Sequence, residues 1–363
     1  MAAEDDERYL AAAVRLSRRH VGQTAENPCV GTLIVADTGG SRHIVGRGVT
    51  ADGGRPHSER VALSDAGDAA QGAVAYVTLE PCAHHGRTGP CATALAEAGI
   101  GRVVIGADDP DSRVDGRGRR MLREAGVAAE DRRDGRWTVR PFEGFLSRIR
   151  LGRPFVTLKM AVSADGCVGR IGEGQVAISG PISNRQTHLV RAESDAILVA
   201  IGTALADDPM LTCRLPGLAD RSPVRIIVDR HLRLPLGSRL VQTAREVPVV
   251  IATAVDPHSL QAAPYLAAGC RLLPFGVRKT DLGDLLRQLL GLGISTVLVE
   301  GGPTFAASLL AAGFVDRAIV VRGTTTIGGA GVAAPAGLLH LEDFARTRQD
   351  RFGPDVWSEY ERI

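Results

Sequence analysis

The sequence has few aromatic residues, little net charge and no long apolar run. Aromatic residues make up 4% of the 363 residues, and the formal net charge is +2. No stretch of about 20 apolar residues is present to span a bilayer. A charge this small also provides no strong field for nucleic acid or an anionic membrane surface. We therefore expect a protein that binds neither nucleic acid nor membrane.

Cysteine is scarce as well, with six residues in the whole chain. This number is too small for the dense spacing that is typical of a disulfide framework. Residues 1–8 are acidic, and the short apolar stretch that follows is interrupted by Arg15, so no secretory signal is expected. The sequence therefore predicts a reducing, cytoplasmic location.

The rest of the composition is ordinary for a globular protein, at 44% apolar and 23% charged residues. The length is sufficient for two domains with their own cores. Strand and helix patterns alternate through both halves, beginning with a helix predicted over residues 9–20. This alternation predicts layered α/β domains. Residues 131–154 are charged and interrupted by Gly and Pro. We place the boundary near the end of this segment, between a first domain at residues 1–148 and a second at residues 153–363.

Two short motifs in the first half contain residues that bind zinc in other proteins. Pro-His-Ser-Glu contributes His57 and Glu59, and a later loop begins with Pro-Cys at Cys82 and ends with Pro-Cys at Cys91. One imidazole and two thiolates leave the fourth position of zinc open, which is typical of a catalytic site. The pattern is that of zinc deaminases, except that eight residues separate the two cysteines. We expect one zinc ion per chain, with Glu59 moving a proton from water to the leaving amine.

Alternatives to these ligands remain open at this point. A lone His-x-Glu is usually a surface feature and a lone cysteine pair is usually inert, but here each motif follows a strand and precedes a helix. His84 and His85 are competing ligands, and Arg87 is a candidate substrate or phosphate contact. In the second half no Gly-x-Gly-x-x-Gly follows a strand, so a Rossmann fingerprint is absent. The Gly-Gly-Pro at residues 301–303 fits a plain tight turn as well as a phosphate cradle.

Longer segments resemble a known family, the bifunctional riboflavin-biosynthesis deaminase–reductases. Thr-Leu-Glu-Pro-Cys-Ala-His-His-Gly-Arg-Thr at residues 78–88 and Asn-Pro-Cys-Val-Gly at residues 27–31 resemble the deaminase half. The segments that resemble the reductase half are residues 158–166, 189–198, 202–209 and 299–304. The resemblance covers nearly the whole chain. It implies an N-terminal cytidine-deaminase-like three-layer α/β/α domain and a C-terminal dihydrofolate-reductase-like α/β domain.

The resemblance also implies roles for single residues. In the deaminase, zinc is held by His57, Cys82 and Cys91, Glu59 is the proton shuttle, and Asn27 touches the pyrimidine. In the reductase, the implied NADPH contacts are Ala161, Thr203, Asp207, Gly302, Pro303, Thr304, Phe305, Ala306 and Ala307. The implied substrate contacts are Arg191, Leu211, Arg214 and Glu300. Lys159 and Glu300 are candidates for proton supply or positioning, and a purely structural ion pair between them is the alternative.

The implied substrate is a small pyrimidine ribotide, 2,5-diamino-6-ribosylamino-4(3H)-pyrimidinone 5′-phosphate. Its deamination and the NADPH-dependent reduction of its ribosyl chain give 5-amino-6-(5-phosphoribitylamino)uracil. We also expect a homodimer or higher homo-oligomer. The chain departs from the family at Ser58, where Ala is usual, at Thr50, where many members have His, and at Ala177, where many have a Trp that lies on the cofactor. A deaminase with a degenerate reductase domain, or a paralogue for another amino-pyrimidine, is therefore the alternative.

Overall fold

The computed structural model describes residues 2–86, 88–131, 138–276 and 281–363. The chain divides into two compact units, Met1–Gly152 and Arg153–Ile363. Within the described ranges, no helix has the length and apolar character that a membrane crossing requires.

The first unit is a sheet with helices on both faces. Its described helices are α1 (Ala2–Ser17), α2 (Ser58–Ala66), α3 (Cys91–Glu97), α4 (Arg117–Glu124) and α5 (Glu143–Leu151). Its described strands are β1 (Gly31–Thr38), β2 (Ser41–Val49), β3 (Val74–Val77), β4 (Arg102–Ile105) and β5 (Ala128–Asp131). They lie in the order β2-β1-β3-β4-β5. The β1 strand is antiparallel to β2 and β3, whereas β3, β4 and β5 run parallel.

Alternation along the strands produces two cores, one on each face of this sheet. Tyr9 and Ala13, one turn apart on α1, pack on Leu33 and Tyr76. The opposite face, which includes Ile34 and the alternating positions of β3 and β4, packs on helices α2 to α4. Three α/β/α layers result, and the expected fold of the N-terminal domain is confirmed.

Two glycines of β2 let α2 lie directly on the sheet. A Cβ atom at Gly46 would stand 2.4 Å from the carbonyl oxygen of Ala62, and one at Gly48 would stand 1.9 Å from that of Ser58. Both neighbours are backbone atoms of α2, so a side chain at either position would push the helix away. This close approach fixes the start of α2, with His57 immediately before the helix and Glu59 in its first turn.

The second unit is built on a larger sheet, described over nine strands. These strands are β6 (Phe155–Val162), β8 (Ala196–Ala200), β9 (Val224–Val228), β10 (Val249–Thr253), β11 (Arg271–Pro274), β12 (Thr296–Glu300), β13 (Arg317–Arg322), β15 (Phe344–Phe352) and β16 (Asp355–Arg362). They lie in the order β11-β10-β9-β8-β12-β6-β13-β16-β15. A separate ribbon pairs β7 (Cys167–Arg170) with β14 (Gly331–Ala333). The described helices are α6 (Pro181–Ala192), α7 (Ile201–Asp207), α8 (Arg239–Gln242), α9 (Ala263–Ala268), α10 (Leu282–Gly291), α11 (Pro303–Ala311) and α12 (Ala336–Leu339).

From β11 to β13 the neighbouring strands of this sheet run parallel, and both faces are covered. Leu198 and Val299 belong to the core on one face, and Ile197 and Leu298 to the core on the other. Burial on both sides explains why these strands are nearly continuous apolar runs. The mixed α/β class expected for this half is confirmed.

The neighbouring strands β8 and β12 lead the chain in opposite directions across the sheet. After β8 the chain goes on to β9 on one side, and after β12 it goes on to β13 on the other. In α/β sheets such a divergence leaves a crevice outside the carboxyl ends of the strands, where ligands bind. The crevice lies between the residues that follow Ala200 and those that follow Glu300.

The structure differs from the sequence-based elements at several places. The helix predicted over residues 9–20 begins at Ala2, and residues 18–20 form a 3₁₀ turn. The segment expected to separate the domains begins at the last residue of β5 and contains a 3₁₀ turn (Arg140–Phe142) and α5. The hairpin β15–β16 was not predicted, because only one face of an edge hairpin needs apolar residues and its alternation is weak.

Candidate functional site

Three ligand atoms converge at the carboxyl end of β3. His57 immediately precedes α2, Cys82 follows β3, and Cys91 is the first residue of α3. The Nδ1 atom of His57 lies 3.6 Å from Sγ of Cys82 and 3.4 Å from Sγ of Cys91. All three ligand atoms lie within 4.8 Å of one another. His84 and His85 are outside this cluster, and Arg87 lies outside the described residues.

The dimensions of the cluster fit zinc. Zinc–sulfur bonds of about 2.3 Å and zinc–nitrogen bonds of about 2.0 Å at a tetrahedral angle place nitrogen and sulfur about 3.5 Å apart. The two distances from His57 lie on either side of this value. A hydrogen bond from Cys91 lowers the pKa of Cys82 to about 4, and the same bond raises the pKa of Cys91. The lowered pKa therefore favours the thiolate form of Cys82, and the thiolate is the form that binds zinc.

Glu59 lies in the first turn of α2, beside the cluster, with only 4% of its surface exposed. One carboxylate oxygen, Oε2, accepts a hydrogen bond from the Ser58 hydroxyl at 3.0 Å. Burial raises the pKa of Glu59 above its usual value. A buried carboxyl next to a metal site can exchange a proton with a group bound there.

The contacts that hold the loop of Cys82 in place, which centre on Glu80, were not predicted from the sequence. The fully buried carboxylate of Glu80 accepts hydrogen bonds from the backbone N–H groups of Gly116 (3.0 Å) and Arg119 (3.1 Å), and from the guanidinium of Arg119 (3.0 Å). The backbone of Gly118 touches the carbonyl of Pro81, where a Cβ atom would stand 2.0 Å from the oxygen. The chain that carries Cys82 is thus fixed to the start of α4. An acidic residue directly before Pro-Cys was the available signal.

Asn27 and Thr50, the other two positions noted in the first unit, both pack against main-chain atoms. The Asn27 side chain rests on Gly54, whose φ of +86° suits glycine. Thr50 is 2% exposed, and its hydroxyl accepts from the N–H of Val30 and donates to the carbonyl of Pro28, each at 3.0 Å. Thr50 therefore stabilises a loop and has no free surface for a phosphate.

A second cluster forms where Glu300, the last residue of β12, lies beside Lys159 in the middle of β6. Lys159 and Glu300 are paired in register on these adjacent strands. The guanidinium of Arg191, from α6, binds both oxygens of Glu300 at 2.7 and 2.8 Å and donates to the carbonyl of Thr212 at 3.1 Å. Burial disfavours the charge of Glu300, but Arg191, together with Lys159 and His188, outweighs the burial and lowers the pKa of that carboxyl. Burial also lowers the pKa of Lys159, which is 9% exposed.

His188 was not singled out in the sequence, although it precedes Arg191 by one helical turn. Its Nδ1 accepts the backbone N–H of Arg214 at 3.3 Å, so the ring proton is on Nε2 when the ring is neutral. Burial lowers the pKa of His188. Leu211, 4% exposed and at a φ of +54°, belongs to the same loop as Arg214, whose side chain is exposed. The spacing of three residues before Arg191 on one helix was the available signal.

The β8–β12 crevice brings together most positions expected to contact NADPH. The hydroxyl of Thr203 accepts the N–H of Gly302 at 2.9 Å, and Gly301 has a φ of +105°. Pro303 begins α11. Asp207 ends α7, and burial raises its pKa. In the remainder of the set, Thr304 and Ala307 are exposed, Ala306 is buried, and Phe305 and Ala161 are half-buried.

These residues fit a phosphate-bearing cofactor. The N-terminus of a nine-residue helix, α11, presents backbone N–H groups beside the crevice. Ala177 is exposed in the segment between β7 and α6, where it offers no ring to stack on a cofactor.

Comparisons with known proteins cover both units. Residues 154–356 match the RibD C-terminal domain, and residues 3–107 match the cytidine and deoxycytidylate deaminase zinc-binding region. Among curated relatives, the riboflavin biosynthesis protein RibD of Escherichia coli is 37% identical over 97% of this chain and 98% of its own. RibD of Aquifex aeolicus is 34% identical, over 97% and 96%.

Solved structures resemble the whole chain as well. RibD of Acinetobacter baumannii has a TM-score of 0.85 and 31% identity, with 99% of each chain covered. A diaminohydroxyphosphoribosylaminopyrimidine deaminase/5-amino-6-(5-phosphoribosylamino)uracil reductase from Thermotoga maritima has a TM-score of 0.86 and 28% identity, with 100% of each chain covered.

Proposed function

This chain belongs to the RibD family of riboflavin-biosynthesis proteins and contains both a zinc deaminase domain and a reductase domain, and we propose how its residues divide the two reactions. Residues 1–148 deaminate 2,5-diamino-6-ribosylamino-4(3H)-pyrimidinone 5′-phosphate by hydrolysis. Residues 153–363 then reduce the ribosyl chain to ribityl with NADPH, giving 5-amino-6-(5-phosphoribitylamino)uracil. The observation that carries the proposal is the cluster of His57, Cys82 and Cys91 with Glu59 buried beside it.

In the deaminase, His57, Cys82 and Cys91 hold the zinc. When bound, zinc lowers the pKa of a water molecule toward neutrality. Glu59 accepts a proton from the attacking water on its carboxylate and returns it to the leaving amino group, which departs as ammonia. Asn27 contacts the pyrimidine ring. The raised pKa of Glu59 supports this role, since an efficient proton shuttle has a pKa near the working pH.

In the reductase, Arg191 and Arg214 bind the substrate. The exposed guanidinium of Arg214 suits a phosphate monoester because it can donate two parallel hydrogen bonds, whereas Arg191 already donates to Glu300 and to the carbonyl of Thr212. Leu211 and Glu300 line the same site. NADPH, held by Ala161, Thr203, Asp207 and the turn at residues 302–307, supplies a hydride when bound. Lys159 supplies the proton for the ring oxygen, and Glu300 orients Lys159 and the substrate. Burial supports the role of Lys159, because a lowered pKa brings an ammonium closer to the pH at which it can release its proton.

The experiment that tests the deaminase assignment replaces Glu59 by Gln, which keeps the size and can still accept from Ser58. We expect E59Q to lose ammonia release while it retains one zinc per chain, measured by plasma mass spectrometry. Its reductase should act normally on the deaminated ribotide supplied with NADPH, which controls for folding. Ammonia release at the wild-type rate would contradict the shuttle assignment.

One observation favours a second candidate, a deaminase with a degenerate reductase. The exposed Ala177 gives the nicotinamide side no aromatic surface. The two candidates differ in NADPH oxidation with the deaminated ribotide as substrate. Turnover supports the bifunctional enzyme, whereas absence of turnover in protein that deaminates normally supports the degenerate form.

The protein is further proposed to act in the cytoplasm as a homodimer or higher homo-oligomer. The six cysteines are free thiols in the structure, which suits a reducing compartment. The outer edge of β15 is unpaired within the described part of the chain, and an exposed edge strand can pair with a second copy. Sedimentation velocity of the purified protein distinguishes these oligomers from a monomer.

A further inference from the structure

Two buried hydroxyl groups form a line that ends on Glu59. Oγ1 of Thr32 lies 2.8 Å from Oγ of Ser58, and Oγ of Ser58 donates to Oε2 of Glu59 at 3.0 Å. Thr32 and Ser58 have no exposed surface, and Glu59 has 4%. Water therefore has little access to these three groups, and the side chains must satisfy one another.

The direction of the two bonds follows from the chemistry of a hydroxyl group, which has one proton to donate. Because Ser58 gives its proton to the carboxylate, the bond between the hydroxyls must be donated by Thr32. Oε2 of Glu59 thus accepts a hydrogen bond from within the protein. A proton that Glu59 takes up during deamination then goes to the other carboxylate oxygen, Oε1, because Oε2 already accepts from Ser58.

The two hydroxyls lie on elements that cannot move apart easily. Thr32 is in β1, and its register partner on β2 is Gly48. Gly48 is the residue against which the carbonyl of Ser58 packs, without room for a Cβ atom. Sheet and helix therefore fix the hydroxyl line from both ends, as the precise placement of a general base requires.

We propose that Thr32 and Ser58 are positioning residues for deamination, which hold the Glu59 carboxylate in the orientation for proton transfer. The proposal rests on the proposed role of Glu59 as the shuttle. Thr32 and Ser58 have no exposed surface for a substrate to contact, so removal of their hydroxyls should affect turnover and leave substrate binding unchanged.

The test compares S58A and T32V with T32S. For S58A we expect kcat of deamination to fall about tenfold at unchanged KM, because a hydrogen bond to a charged group is lost. For T32V, which leaves the bond from Ser58 in place, we expect a fall of about threefold. T32S restores the hydroxyl and should restore kcat. S17A is the matched control, since Ser17 is equally buried but donates to the carbonyl of Val14. All variants should keep one zinc per chain and full reductase activity.

A readout independent of turnover is the orientation of the carboxylate in crystals of zinc-loaded S58A. The proposal expects Glu59 in a changed or split rotamer in S58A and in the native rotamer in S17A. A native Glu59 rotamer in S58A together with a kcat equal to that of S17A would overturn the proposal. If instead E59Q itself retains deamination, the shuttle assignment has failed, and that outcome is distinguishable because it does not involve Ser58.

Discussion

Gly118 supports the zinc site from behind, and replacing it by Ala should displace Cys82. In α4, a Cβ atom at this position would stand 2.0 Å from the carbonyl oxygen of Pro81, about 1.4 Å short of the 3.4 Å at which ordinary contact begins. The obstructing atom is backbone, and it belongs to the residue directly before Cys82. Either the loop or the helix must move by that amount, and overpacking of this kind costs about 1–3 kcal/mol.

A shift larger than the tolerance of metal–ligand bonds, about 0.2 Å, weakens the site. We expect G118A to lose about 10- to 100-fold in zinc affinity, as is usual when the support of a ligand is disturbed. The assay is zinc retention against a series of chelator concentrations, with ammonia release and NADPH oxidation measured on the same samples. Reductase activity should remain normal.

G291A is the matched control for this substitution. Gly291 also lies in a helix, at the end of α10, and a Cβ atom there would meet nothing within 4 Å. Both variants gain the helix propensity of Ala, worth up to about 1 kcal/mol, whereas only G118A places a Cβ atom against Pro81 and Glu80. Wild-type zinc affinity and deamination in G118A would refute the reasoning.

Two further predictions concern the reductase unit. Because burial lowers the pKa of Lys159, the unfolded chain binds more protons than the folded one between that lowered pKa and the ordinary value of about 10.4. The unfolding free energy of the wild type should therefore rise with pH across this window. K159M should lack this rise, be more stable than the wild type at neutral pH and reduce no substrate. If urea unfolding showed the same dependence of the unfolding free energy on pH in both proteins, the prediction would be wrong. Arg153 binds both oxygens of Asp316 at 2.6 and 2.7 Å, with side chains 13% and 11% exposed. R153M should lose about 3 kcal/mol of unfolding free energy. The control is R322M, at an exposed arginine of β13, which should lose less than about 0.5 kcal/mol. Similar losses in the two variants would show that the ion pair does not stabilise the fold.

The sequence predicted the deaminase cluster because its members lie next to helices and strands whose apolar patterns are clear. His57 precedes an amphipathic helix and Cys82 follows an apolar strand, so their meeting at the end of a sheet follows from the order of elements. The positions of this cluster depend mainly on local patterns. The proximity of Lys159 and Glu300, in contrast, was expected only from the family resemblance, because Lys159 lies in the middle of β6 and Glu300 at the end of β12.

The supporting contacts could not be predicted in the same way. The bonds from Thr32 to Ser58 and from Gly116 to Glu80 join residues that are 26 and 36 positions apart. Arg191 likewise donates hydrogen bonds to both oxygens of Glu300, a residue 109 positions later in the chain. Such pairs depend on strand register and helix packing, which no local pattern specifies. Helix α5 was hidden because its charges, such as Arg148 and Arg150, resemble those of a linker.

The most direct test of the bifunctional assignment is mass spectrometry of the product formed from the diaminopyrimidine ribotide by zinc-loaded protein, with and without NADPH. Without NADPH, we predict a product in which one amino group is replaced by oxygen. With NADPH, the product should also carry two additional hydrogens, as in the ribityl compound. A product that is deaminated but never reduced would contradict the reductase assignment, and an unchanged ribotide in protein that holds zinc would contradict the assigned substrate.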